Sequence, residues 1–164
     1  MARVRENVGR IAEQIADIAL TRTVGRPYDR PLFRTSLLGD VYPTADILVD
    51  ALAADGTVAG HCFVQVKGTA HASPTAPRIT VDVKLEDHNR LVRLAIPAYI
   101  CAVDICTGEV FLVAACQRRK TAVASVTKKF PLTDETIKME FYREVCAFWT
   151  THGVTQRTSR FTDA

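Results

Sequence analysis

Asp46, Gln65 and Lys67 are the residues of this chain whose types and spacing could do chemistry. They stand in TADILVDALAADGTVAGHCFVQVKGTA, where two alternating runs, 45–52 and 61–67, flank the turn signal Asp55-Gly56. A hairpin centred on that turn pairs residues whose numbers sum to 111, which sets Asp46 opposite Gln65 and Asp50 opposite His61. One face then carries Ile47, Val49, Cys62, Val64 and Val66 and reads as core. The other carries Asp46, Leu48, Asp50, His61, Phe63, Gln65 and Lys67. A carboxylate, an amide carbonyl and an ammonium within side-chain reach suit a hard divalent cation, which takes oxygen ligands. Each residue also has a plain structural role open to it. Asp46 can serve as a turn residue beside Pro43-Thr44 and Gln65 as the partner of a buried backbone group. Lys67 is harder to assign that way, because an interior lysine is costly without a partner.

The elements that hold these residues follow from periodicity. Val4, Val8, Ile11, Ile15 and Ile18 recur at helical spacing and predict an amphipathic helix over about 4–21, with that stripe entering the core. Gly9, Ala16 and Leu20 fall on its far side, with Glu13 beside them as either a solvated or a functional residue. Ile79, Val81, Val83 and Leu85 predict a third strand, 86–94 a short helix, and two more strands flank Thr107-Gly108. Thr133-Asp134-Glu135 after Pro131 starts a last helix that runs to about Thr150, with Ile137, Phe141, Val145, Phe148 and Trp149 inside. Helix, three strands, helix, two strands and helix make an α/β or α+β fold. Its mixed central sheet has about five strands flanked by helices, in a single domain over 1–164.

With 48% apolar and 24% charged residues in 164, the composition is that of a soluble globular domain. The longest apolar stretch, near 95–103, is too short to span a bilayer, and the charged start MARVRENVGR lacks a signal sequence, so the expected location is the cytoplasm. Five cysteines with no C-x-x-C pair suit free thiols and lack zinc spacing. The net charge of +3 is mild, but Arg22, Arg26, Arg30 and Arg34, then Arg118, Arg119 and Lys120, then Lys128 and Lys129 are clustered. Each cluster is either a footprint for phosphate backbones or a solvated surface.

Gly9 and Glu13 on a first helix, Asp46 before a strand, and Gln65-Val66-Lys67 followed by Gly68 on the next strand resemble the PD-(D/E)XK nuclease superfamily. With LEDHNRL, IPAYICAVDICTGEVFLV and PLTDET, the chain is similar over about 4–149 to a bacterial domain family of unknown function in that superfamily. Members of that family commonly carry Gln in place of the second acidic residue and occur in defence-associated contexts. The resemblance implies a restriction-endonuclease-like core. It makes Asp46 the first metal-binding carboxylate, Gln65 the neutral counterpart of the second, the Val66 carbonyl a further ligand and Glu13 the residue completing the shell. It gives Lys67 the role of orienting the attacking water and stabilising charge on the phosphate. It implies Mg²⁺ or Mn²⁺ as cofactor and endonuclease activity on DNA in a bacterial defence or DNA-processing system. The protein would act as a homodimer, with a defence-system protein as a further partner and no membrane. Two departures, Pro43-Thr44-Ala45-Asp46 in place of Pro-Asp and the neutral Gln65, leave open a catalytically inactive module that binds nucleic acid or a partner protein.

Overall fold

The structure, a computed structural model, describes residues 2–25, 29–39 and 42–152. Its elements in chain order are α1 (Ala2–Thr21), β1 (Phe33–Leu37), β2 (Ile47–Leu52), β3 (Val58–Thr69), β4 (Arg78–Val83), α2 (Leu85–Val92), β5 (Ala98–Asp104), β6 (Glu109–Ala114), β7 (Val123–Thr127) and α3 (Glu135–Thr151). Five strands form a mixed sheet in the order β1-β2-β3-β5-β6, in which the β3–β5 pair is parallel and the others antiparallel. β4 and β7 pair separately. This is the α+β architecture with a mixed five-stranded sheet that the order of elements predicts.

Every residue of β5 is buried. A strand inside a sheet covered on both faces needs apolar side chains at every position, which is why this segment reads as a continuous apolar run. Tyr99, Cys101 and Val103 point into a core shared with Ala12, Ala16, Phe141 and Val145 of α1 and α3. Ile100 and Ala102 point into a second core, with Ile79, Val81 and Val83 of β4, Leu91 of α2 and Val126 of β7. The hairpin face expected to be polar is therefore roofed by β4, β7 and α2, and Phe63 packs there.

The hairpin takes the expected register, pairing Ile47 with Val64, Leu48 with Phe63, Val49 with Cys62 and Asp50 with His61, and it slips between Ala51 and Leu52 near the turn. Two strands, β1 and β7, escape the sequence reading. β1 is an edge strand with Phe33 as its one buried residue, so it has no alternation to detect. In β7 the buried Val123 and Val126 stand three apart, because the register with β4 slips between Thr80 and Val83 and breaks the period of two.

The stripe expected to bury α1 is corrected by the structure. Ala12, Ala16 and Leu20 are fully buried, whereas Ile11 is 40% and Ile18 66% exposed. Val8 and Ile15 are half-buried, and the side chain of Val4 lies outside the described residues. The reason is the distance at which helix and sheet meet. A Cβ placed at Gly68 of β3 would lie 2.6 Å from the Ala12 Cβ and 3.0 Å from the Val8 carbonyl oxygen. At that separation alanines fit beneath the helix and isoleucines do not.

At the other helix, Asp134 caps α3 by accepting from Thr136 N at 2.8 Å. One turn on, Lys138 is buried, and its Nζ donates to the carbonyl of Ala19 at 2.8 Å and to that of Arg22. It thereby satisfies carbonyls at the end of α1 that have no partner within the helix. Burial, and then the Arg22 charge, lower the Lys138 pKa to about 8 against the pull of Glu135. All five cysteines are free. Burial, with Asp46 nearby, pushes the Cys101 thiol up to about 12. Among the described residues, no helix is long and apolar enough to cross a membrane.

Candidate functional site

Asp46 stands one residue before β2, and its backbone N–H donates at 2.9 Å to the carbonyl of Val64, the register partner of Ile47, one residue short of the Gln65 expected opposite it. Its carboxylate Oδ2 accepts from Val66 N at 2.5 Å. The side chain is therefore tied to the β3 backbone between Gln65 and Lys67. A strand residue turns its N–H and C=O toward the same neighbour, so the Val66 carbonyl lies along the edge that Asp46 occupies. Burial raises the Asp46 pKa, the Val66 hydrogen bond and the Lys67 charge oppose it, and Asp87 raises it again, leaving it above the usual carboxylate value.

Gln65 sits beside Ile100 of β5 and is only 3% exposed. Its Oε1 is buried and, among the described residues, has no hydrogen-bond partner. A desolvated acceptor left in that state costs about 1–3 kcal/mol. Lys67 follows on the same face, opposite Ala102 and half-buried, close enough for its charge to act on Asp46. The structure thus brings Asp46, Gln65, Val66 and Lys67 together. It places Glu13, half-buried and with a polar interaction of its own, on α1, which packs against the opposite face of the sheet from Gln65 and Lys67. Among the described residues, no three His, Cys, Asp or Glu side chains converge as metal ligands.

Asp50 and His61 are engaged elsewhere. Asp50 Oδ2 accepts from Arg34 at 2.9 and 3.2 Å, and the His61 ring packs on Trp149 with centroids 4.2 Å apart. Four residues of strand hold Asp50 roughly 13 Å from Asp46. Two arginines of the first basic cluster also serve the fold, Arg34 in that pair and Arg30 through hydrogen bonds to the carbonyls of Leu52 and Ala53 at 3.0 and 2.7 Å. Arg26 lies outside the described residues.

No family model, no curated protein and no solved structure matches this chain. What remains is the donor set. The Asp46 carboxylate and the carbonyls of Gln65 and Val66 are oxygen donors of the kind Mg²⁺ or Mn²⁺ takes, and the unpartnered Oε1 is the atom such a cation would satisfy.

The residue missed from sequence is Asp87 of α2. Its charge acts on Asp46, and it lies 3.9 Å from Arg90, whose Nη1 also donates to Thr44 Oγ1 at 3.4 Å. In LEDHNRL the Asp87 and Arg90 spacing looks like an ordinary solvated helix pair. Only the docking of α2 over the sheet brings Asp87 near Asp46.

The orphaned acceptor has a measurable consequence. Replacing Gln65 by Met keeps the volume and removes the unsatisfied oxygen, so Gln65→Met is expected to raise the unfolding free energy in metal-free urea titrations by about 1 kcal/mol or more. The same change should abolish any stabilisation by Mg²⁺. Equal or lower stability of Gln65→Met would show that Oε1 is satisfied within the fold.

Proposed function

We propose that the protein is a metal-dependent phosphodiesterase, an endonuclease acting on DNA in a bacterial defence or DNA-processing system. The observation that carries this is the Asp46 carboxylate tied to Val66 N, between Gln65, whose buried Oε1 has no hydrogen-bond partner among the described residues, and Lys67, next on the Gln65 face of β3. Asp46, Gln65 and the Val66 carbonyl would hold Mg²⁺ or Mn²⁺. When bound, that ion supplies polarisation of a phosphoryl oxygen and a lowered pKa for a coordinated water. Lys67 orients the attacking water and offsets negative charge developing on the phosphate. Val66 N–H and Lys67 favour the ionised form of Asp46, against burial and Asp87. A homodimer that serves both strands of a duplex and a defence-system partner follow from the resemblance to PD-(D/E)XK nucleases.

A second reading has an observation in its favour. With no third acidic or imidazole ligand converging among the described residues, a neutral amide in place of a carboxylate leaves the site short of negative charge. A nuclease-like module that binds nucleic acid or a partner protein without cutting fits that arrangement. The deciding test incubates purified protein with supercoiled plasmid, linear duplex, single-stranded DNA and RNA in Mg²⁺ or Mn²⁺. Nicking or linearisation that EDTA stops and Asp46→Ala abolishes is expected. Intact substrates at every metal concentration, with binding retained, would select the second reading.

A further inference from the structure

The second core has an outer surface, and its charge is unevenly placed. α2 opens with Glu86 and Asp87, closes with Arg90, and is followed by the exposed Arg93. Its middle holds a neighbouring loop by both backbone polarities: Asn89 Nδ2 donates to the Arg119 carbonyl at 3.1 Å and Asn89 Oδ1 accepts from Arg119 N at 2.9 Å. One residue earlier on α2, the buried His88 engages the Gln117 carbonyl through Nε2 at 3.0 Å. The connection between β6 and β7 is therefore clamped to α2 at two successive positions, and Ala115 at its start is buried in the second core.

A clamped loop could have any composition. This one carries Arg118, Arg119 and Lys120 in succession, all exposed. These like charges repel one another, so the fold gains nothing from gathering them. Their relation to Asp46 runs through α2: Arg90 reaches Thr44, two residues before Asp46, and Asp87 acts on Asp46 itself. The positive surface and the candidate site thus adjoin the same short helix. Arginine and lysine side chains on a backbone held in place are suited to the regularly spaced phosphates of a nucleic-acid strand.

We infer that the loop of residues 117–120, clamped to α2 by Asn89 and His88, is a phosphate-backbone contact surface that delivers nucleic acid to the site around Asp46 and Lys67. This rests on the phosphodiesterase reading for its destination, whereas the contact itself does not require cleavage. The Asn89 clamp acts as a positioning device, and Arg118, Arg119 and Lys120 make the contacts.

The test is fluorescence anisotropy of a short labelled DNA duplex and a single strand in EDTA, where no cutting occurs, between about 50 and 200 mM salt. The triple variant Arg118→Ala, Arg119→Ala, Lys120→Ala is expected to bind at least ~10-fold more weakly and to lose about 2–3 from the slope of log affinity against log salt, close to 0.9 per phosphate contact. Asn89→Ala, which keeps every charge, should weaken binding less and leave the slope nearly unchanged. A control with Arg10→Ala, Arg22→Ala and Lys129→Ala removes as much charge from exposed positions elsewhere and should bind as the wild type does. The inference is overturned if the loop variant binds normally, if the control loses as much, if the wild type binds no nucleic acid, or if polyglutamate binds equally well with the same slope. Loop-dependent binding by a wild-type protein that cuts nothing in Mg²⁺ would uphold the inference and remove the catalytic reading.

Discussion

Lys67→Ala is expected to lower phosphodiester cleavage by about 10²- to 10³-fold, the usual loss when one preorganised charge is removed from a developing anion. The cause lies in the placement of Lys67. β3 holds it half-buried, two residues beyond Gln65 on one sheet face and beside the tethered Asp46 carboxylate, where its charge counts for more than it would in water. Folding should survive the change, because Ala102 opposite is small and the cores draw their volume from other side chains. The loss also has a signature in pH. Lys67 pulls the Asp46 pKa down against burial, so its removal lets that pKa rise further. Residual activity that needs ionised Asp46 should then set in at higher pH than in the wild type. Steady-state cleavage rates across pH, alongside urea unfolding, check both effects. Undiminished cleavage by a stably folded Lys67→Ala would take Lys67 out of the mechanism.

A second large effect is expected from a single methyl group. Gly68→Ala adds a Cβ 2.6 Å from the Ala12 Cβ, 3.0 Å from the Val8 carbonyl oxygen and 3.1 Å from Val8 Cγ1. The first two belong to the body of α1 and not to the end of a flexible side chain, so the helix must lift from the sheet. Overpacking of this kind costs about 1–3 kcal/mol, which for a chain of this size lowers the melting temperature by roughly 2–12 °C. Pairing it with Ala12→Gly removes the closest contact and should recover more stability than the two single changes predict by addition. Gly9 provides the contrast. A Cβ there meets nothing within 4 Å, and the residue lies inside α1, so Gly9→Ala should stabilise by about 0.5–1 kcal/mol. Thermal unfolding of the four variants tests the set. A Gly68→Ala protein as stable as the wild type would mean that α1 sits farther from β3 than described.

The pairing of Asp50 with His61 was legible from the chain because a turn signal between alternating runs marks a hairpin, although Leu52 beside the turn pairs with Val58, one residue out of that register, and the slip between Ala51 and Leu52 restores it. β5 was legible as a continuous apolar run, and α3 from Asp134 and the apolar positions behind it. All of these are signals carried within a few residues. The orientation of α1 was not such a signal. Hydropathy ranks isoleucine above alanine, but Ala12 and Ala16 are buried because Gly68, distant in sequence, lets the sheet approach so closely. β1 and β7 were hidden because an edge strand and a bulged strand need no period of two. At the site, the chain by itself determined that Gln65 and Lys67 share one face of β3, since strand alternation requires it. The tertiary structure alone decided that this face is covered, that Gln65 Oε1 is cut off from water without a partner among the described residues, and that Asp87 stands near Asp46. Burial and long-range charge depend on which elements pack over a residue, and no local pattern in the sequence encodes them.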